Sequence, residues 1–231
     1  MPDVYRSMTE LYQHETEGVN YTKEWKRHKK STYSDPGFET VIIAPHGGSI
    51  EIGTTELALA TAGYTSDFNG TTETAEVYDY FIFNGLNQRG ENQRLHVTST
   101  RYDDPIALEL IENSMRTLAY HGCRDLQPTG GYDGYQACLI GGRDIDLMEK
   151  IRRHLAEEGF HAWITRDKRL RGHSSKNLIN RNKQAKGVQL ELTTSLRWSF
   201  FANHTRSQRR KTTTPDFWKF VNAVRRALSA T

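Results

Sequence analysis

Short, continuously apolar or β-branched runs alternate with amphipathic stretches along the whole chain, a pattern that predicts strands and helices in turn. ETVIIAP (39–45) is the clearest run and carries the signature of an interior strand covered on both faces. VNYTKEWK (19–26) puts Val19, Tyr21 and Trp25 on one parity, predicting a half-buried strand after a short amino-terminal helix. Thr54 or Thr55 can cap a helix carrying Leu57, Ala58 and Leu59 that stops near Gly63. VYDYFIFNGL (77–86) and QRLHVTST (93–100) read as two strands joined by the NQRGEN turn, and DDPIALELIENSM (103–115) opens a helix with an acidic cap and a first-turn proline. TLAYHG, YQACLI, FHAWIT and GVQLELT supply further strands. A long helix with an Ile145, Met148, Ile151, Leu155 stripe follows Gly141 and Gly142, a short one is expected around SKNLINRN, and PDFWKFVNAVRRALSA closes the chain. The expected fold is α/β: residues 1–231 form one domain with a mixed, mostly parallel sheet flanked by helices.

Composition adds exclusions. No continuous apolar run exceeds five residues, the mean hydropathy is −0.72, and a quarter of the chain (26%) is charged, so no membrane span is expected. The amino terminus lacks a basic region followed by an apolar stretch, which predicts cytoplasmic synthesis without a signal peptide, with release at host lysis if the gene is phage-encoded. Two cysteines, Cys123 and Cys138, make no disulfide framework and read as ordinary thiols in a reducing compartment. A net charge of +3 permits an anionic partner without demanding one.

The chemistry concentrates at strand exits, where open α/β sheets bind their ligands. His46 follows the run VIIAP, Gly47 and Gly48 let the backbone turn, and Glu51 stands just before a helix. Imidazole plus carboxylate suits zinc, and a catalytic zinc takes three protein ligands and an open position. His121 at the end of TLAYHG and Glu191 in GVQLELT repeat the pattern of a polar residue at an apolar strand's exit. Each position has an ordinary alternative: a hydrogen-bonded loop histidine, a carboxylate favouring the positive end of a helix at Glu51, or a solvated edge-strand residue at Glu191.

The ordered set APHGGSIEIGTTELA, RLHVTST with DDP after it, AYHG, IGG, NLINRN and KGVQLELT resembles the bacteriophage poly-γ-glutamate hydrolase family and its bacterial relatives, from about Val19 to Phe201. The resemblance implies a fold similar to zinc carboxypeptidases, with Zn2+ held by His46, Glu51 and His121 and with Glu191 as the catalytic glutamate. It departs from those peptidases in having four residues between the first two ligands where they have two, so their substrate pockets do not transfer. The stretch TSDFNGTTETAEVYDY is longer and more polar than the family pattern, which leaves substrate preference open.

In the mechanism so implied, Glu191 takes a proton from zinc-bound water and passes it to the leaving nitrogen. Arginine suits both a developing oxyanion and a substrate carboxylate, because its planar fork binds two oxygens. Arg181 is the first choice, with Asn180 beside it; Arg94 and Arg101 come second, each arginine having a solvated-surface alternative, and His96 is placed at the substrate, behind a metal ligand or in a plain structural role. Cys123 is discounted as a ligand because no further cysteine stands near it, His154, His161 and His173 are read as surface or packing residues, and the basic run TRSQRRKTTT (205–214) as a solvated loop. The expected activity is zinc-dependent, endolytic cleavage of γ-glutamyl bonds in poly-γ-glutamate or a related anionic peptide by a monomer. The alternatives are a carboxypeptidase or N-acyl amino acid amidohydrolase of the same fold and, in another class, a nucleic-acid-binding accessory protein.

Overall fold

In the computed structural model, which describes residues 3–28, 39–68, 70–71, 76–88, 90–125 and 136–229, all nine residues of β2 (Thr40–Gly48) are buried, as its unbroken apolar run requires. It lies inside a seven-stranded sheet of order β1-β3-β2-β4-β7-β5-β6. The other strands are β1 (Tyr21–Lys26), β3 (Asp79–Gly85), β4 (Arg116–Cys123), β5 (Ala137–Gly142), β6 (His161–Ile164) and β7 (Val188–Thr193). β3, β2, β4 and β7 run parallel, β1 pairs antiparallel with β3, and β5 pairs antiparallel with β7 and parallel with β6. The sheet is therefore mixed and mostly parallel, as expected.

Alternating residues of the central strands feed two cores. Ile42 and Ala44 of β2, Leu118 and Tyr120 of β4, and Leu190 and Leu192 of β7 pack under α2 (Thr54–Ala62), α4 (Ile145–Glu157) and α6 (Pro215–Ser229). Val41, Ile43 and Ala119 face α1 (Met8–His14) and α3 (Pro105–Glu112) on the other side. α3 starts as expected, with the Asp104 carboxylate accepting from the Ala107 N–H and Pro105 in the first turn. α2 does not: Gly53, at φ 98°, is its N-cap, while Thr54 Oγ donates to the Glu51 carbonyl and Thr55 Oγ to Asn84. The helix does end at Gly63, whose left-handed backbone favours glycine.

Other expectations need correction. QRLHVTST is not a strand: residues 92–95 and 99–101 form 3-10 turns, with Leu95 and Val97 buried beside α3. Val19 and Trp25 are exposed and only Tyr21 of that parity is buried, because β1 is an edge strand. Ile145 is exposed, and Leu147 packs in its place. The segment around SKNLINRN is a 3-10 turn, and α5 (Thr194–Ser199), unforeseen, follows β7 directly. Part of TSDFNGTTETAEVYDY lies outside the described residues. No helix among the described residues is long and apolar enough to cross a membrane.

Two features of this frame shape the carboxyl end of β2. Between Ala44 and Gly47 the β2–β3 register shifts: Ala44 pairs with Ile82 but Gly47 with Asn84, so β2 carries one extra residue. The bulge moves His46 off the parity of Ile42 and Ala44 onto the face of Ala119 and His121, where its Nε2 donates to the Val97 carbonyl at 2.9 Å. Behind the glycine turn, the basic run expected in a solvated loop sends Arg209 into the interior at 1% exposure. Arg209 pairs with buried Glu56 at 3.1 Å and donates from Nη2 to the Gly48 carbonyl at 2.9 Å. Removing one partner strands a buried charge, so Arg209→Met and Glu56→Leu should each lower unfolding free energy by about 3–5 kcal/mol. Denaturant unfolding of the two single variants and the double variant measures this, and the double is expected to lose less than the sum of the singles.

Candidate metal and catalytic site

β2, β4 and β7 are parallel neighbours, so their carboxyl ends share one edge of the sheet. His46 stands at the end of β2, and His121 of β4 lies in register with Glu191 of β7. Glu51 comes back over that edge from the loop before α2, its N–H donating to the His46 carbonyl at 2.9 Å. Its carboxylate lies between two imidazoles: Oε1 is 3.3 Å from His46 Nδ1 and Oε2 is 3.5 Å from His121 Nδ1. Burial alone raises the Glu51 pKa, but His46 and His121 outweigh it and hold the carboxyl well below its ordinary range. Burial likewise depresses His121, and Glu51 and Glu191 more than reverse this, so its pKa is raised.

The donors, imidazole nitrogen and carboxylate oxygen, fit a borderline cation such as zinc. The Val97 carbonyl can only accept, so His46 Nε2 carries a hydrogen and it is Nδ1 that faces Glu51, where its lone pair would meet a cation once the ring is neutral. His46 Nδ1 and Glu51 Oε2 are buried with no hydrogen-bond partner among the described residues, a cost that a bound cation would remove. A third histidine joins them. His96 stacks on His46 with ring centroids 4.0 Å apart, and ligand atoms from His46, Glu51 and His96 lie within 4.8 Å of one another. Asp3 accepts from His96 Nδ1 at 2.7 Å, which leaves Nε2 free to act as a base or ligand. The charge of His46 and then burial bring the His96 pKa down to about 4, so it is neutral near pH 7.

Glu191 is buried, contrary to the edge-strand alternative, because β7 lies between β4 and β5. Burial pushes its pKa up to about 7, the range a general base needs. Gln189, two residues earlier on the same face, donates from Nε2 to Glu191 Oε1 and to the Leu170 carbonyl, both at 2.9 Å, and accepts from Asn177 at 3.1 Å. This amide ties the base to the 168–174 loop. Gly172 permits the approach, since a Cβ there would lie 2.4 Å from Gln189 Oε1.

A cavity of about 510 Å³ joins His46, Glu51, His121 and Glu191 and is walled by Lys168, Arg171 and His173. A second, of about 320 Å³, lies against Glu51 and His96 and is bordered by Arg124 and Arg197. Arg181 and Asn180, expected at the substrate, line neither. The Asn180 amide is spent on the Gly172 and Ser174 carbonyls, both at 2.8 Å, and on the Gly187 N–H at 3.0 Å, while Arg181 is half-buried. Arg94 and Arg101 also line neither cavity, because they are paired with Glu15 and Asp3 of the amino-terminal segment. His173, read from sequence as a surface residue, borders the larger cavity, whereas His154 pairs with Glu157 and His161 is exposed. Cys123 and Cys138 are free thiols, and burial pushes Cys123, which borders both cavities, up to about 12.

The model of the family described as poly-gamma-glutamate hydrolase matches residues 5–223. The SPbeta prophage-derived protein YoqZ of Bacillus subtilis (strain 168) is 32% identical over 189 residues, covering 81% of this chain and 61% of YoqZ, so the chain spans about three-fifths of that relative. A bacteriophage poly-gamma-glutamate hydrolase structure superposes with a TM-score of 0.81 at 31% identity, covering 98% of this chain and 96% of its own. A zinc-free apo structure of YndL superposes with a TM-score of 0.82 at 27% identity, covering 99% and 98%.

Proposed function

Since the chain belongs to the poly-γ-glutamate hydrolase family, we propose that it is a zinc-dependent hydrolase cutting γ-glutamyl amide bonds at internal positions of poly-γ-glutamate. The observation that carries this reading is the convergence of His46 Nδ1 and His121 Nδ1 on the Glu51 carboxylate in one cavity with a buried glutamate of raised pKa. His46, Glu51 and His121 would hold the zinc, with His96 beside them. When bound, the metal polarises the scissile carbonyl and lowers the pKa of a coordinated water toward about 7.

The remaining chemistry belongs to the chain's own residues. Glu191 accepts the proton of the attacking water and returns it to the leaving nitrogen, so the enzyme forms no covalent intermediate. The Gln189 amide engages Oε1, leaving Oε2 as the acceptor and holding the carboxylate's plane fixed. Lys168 and Arg171, which have no carboxylate partner among the described residues, give the larger cavity a positive wall suited to a polyanion. The two cavities meet at Glu51, His96, Gly122 and Cys123, so a polymer can continue on either side of the reacting amide, which supports internal cleavage over trimming of an end. The nucleic-acid alternative is weakened because two of the four cations of the basic run are engaged within the chain, Arg209 with Glu56 and Arg210 with Glu24.

Incubation with poly-γ-glutamate followed by product sizing tests this reading. The mean chain length is expected to fall early while free glutamate stays scarce, and a chelator should stop the fall until zinc is restored. Free glutamate released from the start with little loss of length would overturn internal cleavage. An unchanged polymer would overturn the reading itself.

A further inference from the structure

Arg197 is a buried cation with no carboxylate in direct contact among the described residues; Glu51, Asp125 and Glu191 act on it only through space. It is 6% exposed, and its guanidinium donates from Nε to the Leu192 carbonyl (3.1 Å), from Nη1 to the Ile52 carbonyl (2.7 Å), and from Nη2 to the Cys123 carbonyl (3.4 Å) and Thr194 Oγ1 (3.3 Å). These contacts use four of its five N–H groups, and no described carboxylate oxygen lies within 4.0 Å. The contrast with Arg209, more deeply buried but paired with Glu56, is direct. A desolvated guanidinium is costly unless an anion compensates it, and neutral carbonyls compensate only in part. Arg197 lies against the backbone beside His121: a Cβ on Gly122 would come 2.6 Å from its Cζ.

The smaller cavity is where an anion can reach it. Arg197 lines that cavity with Arg124, which is exposed and has no carboxylate partner among the described residues, and with the neutral polar groups of Gln93 and Thr194. The acids nearby are engaged elsewhere. Glu51 turns its oxygens to the two Nδ1 atoms, and Asp125 accepts from the Ser195 N–H (2.8 Å) and hydroxyl (2.7 Å). A volume of about 320 Å³ accommodates one residue of a peptide rather than a folded partner.

We propose that this cavity is a carboxylate subsite in which Arg124 and Arg197 take the free α-carboxylate of a γ-linked glutamyl residue adjoining the scissile amide. The proposal rests on poly-γ-glutamate being the substrate. It assigns the specificity for an anionic polymer to two residues outside the zinc-binding set, one at the surface and one in the interior.

Steady-state kinetics on poly-γ-glutamate with Arg124→Ala, Arg124→Lys and Arg197→Lys tests it. Arg124→Ala is expected to raise KM about tenfold, the loss of one charge-assisted contact, with kcat within about twofold of wild type. Arg124→Lys should recover most of the affinity, whereas Arg197→Lys, which keeps the charge but cannot span the Leu192, Ile52 and Cys123 carbonyls that hold the guanidinium in place with one N–H left over, should not match wild type. Because Arg124 is exposed, its variants decide the matter even if Arg197→Lys fails to fold. Wild-type KM in both Arg124→Ala and a folded Arg197→Lys, or in Arg124→Ala alone if the latter is unfolded, would overturn the subsite while leaving the hydrolase intact. Failure of the wild type to cleave the polymer would instead overturn the reading beneath it.

Discussion

Glu191→Gln is expected to lower turnover of poly-γ-glutamate by about 10²- to 10⁴-fold while leaving zinc content and fold unchanged. The substitution keeps the side chain's shape and its contact with Gln189 and removes only the proton acceptor. Two structural facts support so large an effect, the burial of the carboxyl and the amide that fixes one oxygen, and that burial pushes its pKa up to about 7. Zinc analysis by atomic absorption beside single-turnover rates separates the roles. Release of zinc would make Glu191 a ligand, and retained activity would require another base.

Loss of metal and loss of activity should instead coincide in His46→Ala and His121→Ala. A site with three protein ligands has none to spare, so bound zinc should fall from about one per chain to near zero. His96→Ala resolves what geometry leaves between His96 and His121. The 4.8 Å cluster contains His96, whereas the two shortest approaches to Glu51 belong to His46 and His121. We favour the latter pair, since both point an Nδ1 atom at the carboxylate. If His96 serves behind the ligands, its removal should weaken zinc binding by about 10- to 100-fold without abolishing it. Complete loss of zinc from His96→Ala together with full retention in His121→Ala would exchange their roles.

Much of the fold and the site is legible in the chain because strand exits are marked locally. VIIAP, TLAYHG and GVQLELT announce buried strands by composition, and the polar residue at each exit stands out against the run before it. Strand order is not local, and so Glu191 reads equally well as an edge residue or an interior one. QRLHVTST misleads because Leu95 and Val97 copy a strand's alternation while reaching one core from two 3-10 turns. Arginines are the least legible. Arg94, Arg101 and Arg181 lie in motif segments, but whether a surface cation is free depends on partners such as Glu15 and Asp3, far away in sequence. Arg197 does carry a signal, a single cation in the largely apolar stretch LRWSFF two residues after GVQLELT. Arg209 carries none, hidden among neighbours of its own charge.

The extra residue in β2 bears on any attempt to move this centre into another parallel sheet. Copying the ligands onto a regular strand would leave the imidazole of His46 on the parity of Ile42 and Ala44, inside the apolar layer under α2 and opposite its carboxylate. The transferable unit is larger than the set of ligands. It comprises the bulge, a glycine at 47 whose Cβ would otherwise meet Thr55 Oγ1 at 2.5 Å, and the Thr55 hydroxyl that accepts from Gly48 and donates to Asn84. A graft without that scaffold would carry every donor atom and form no binding site.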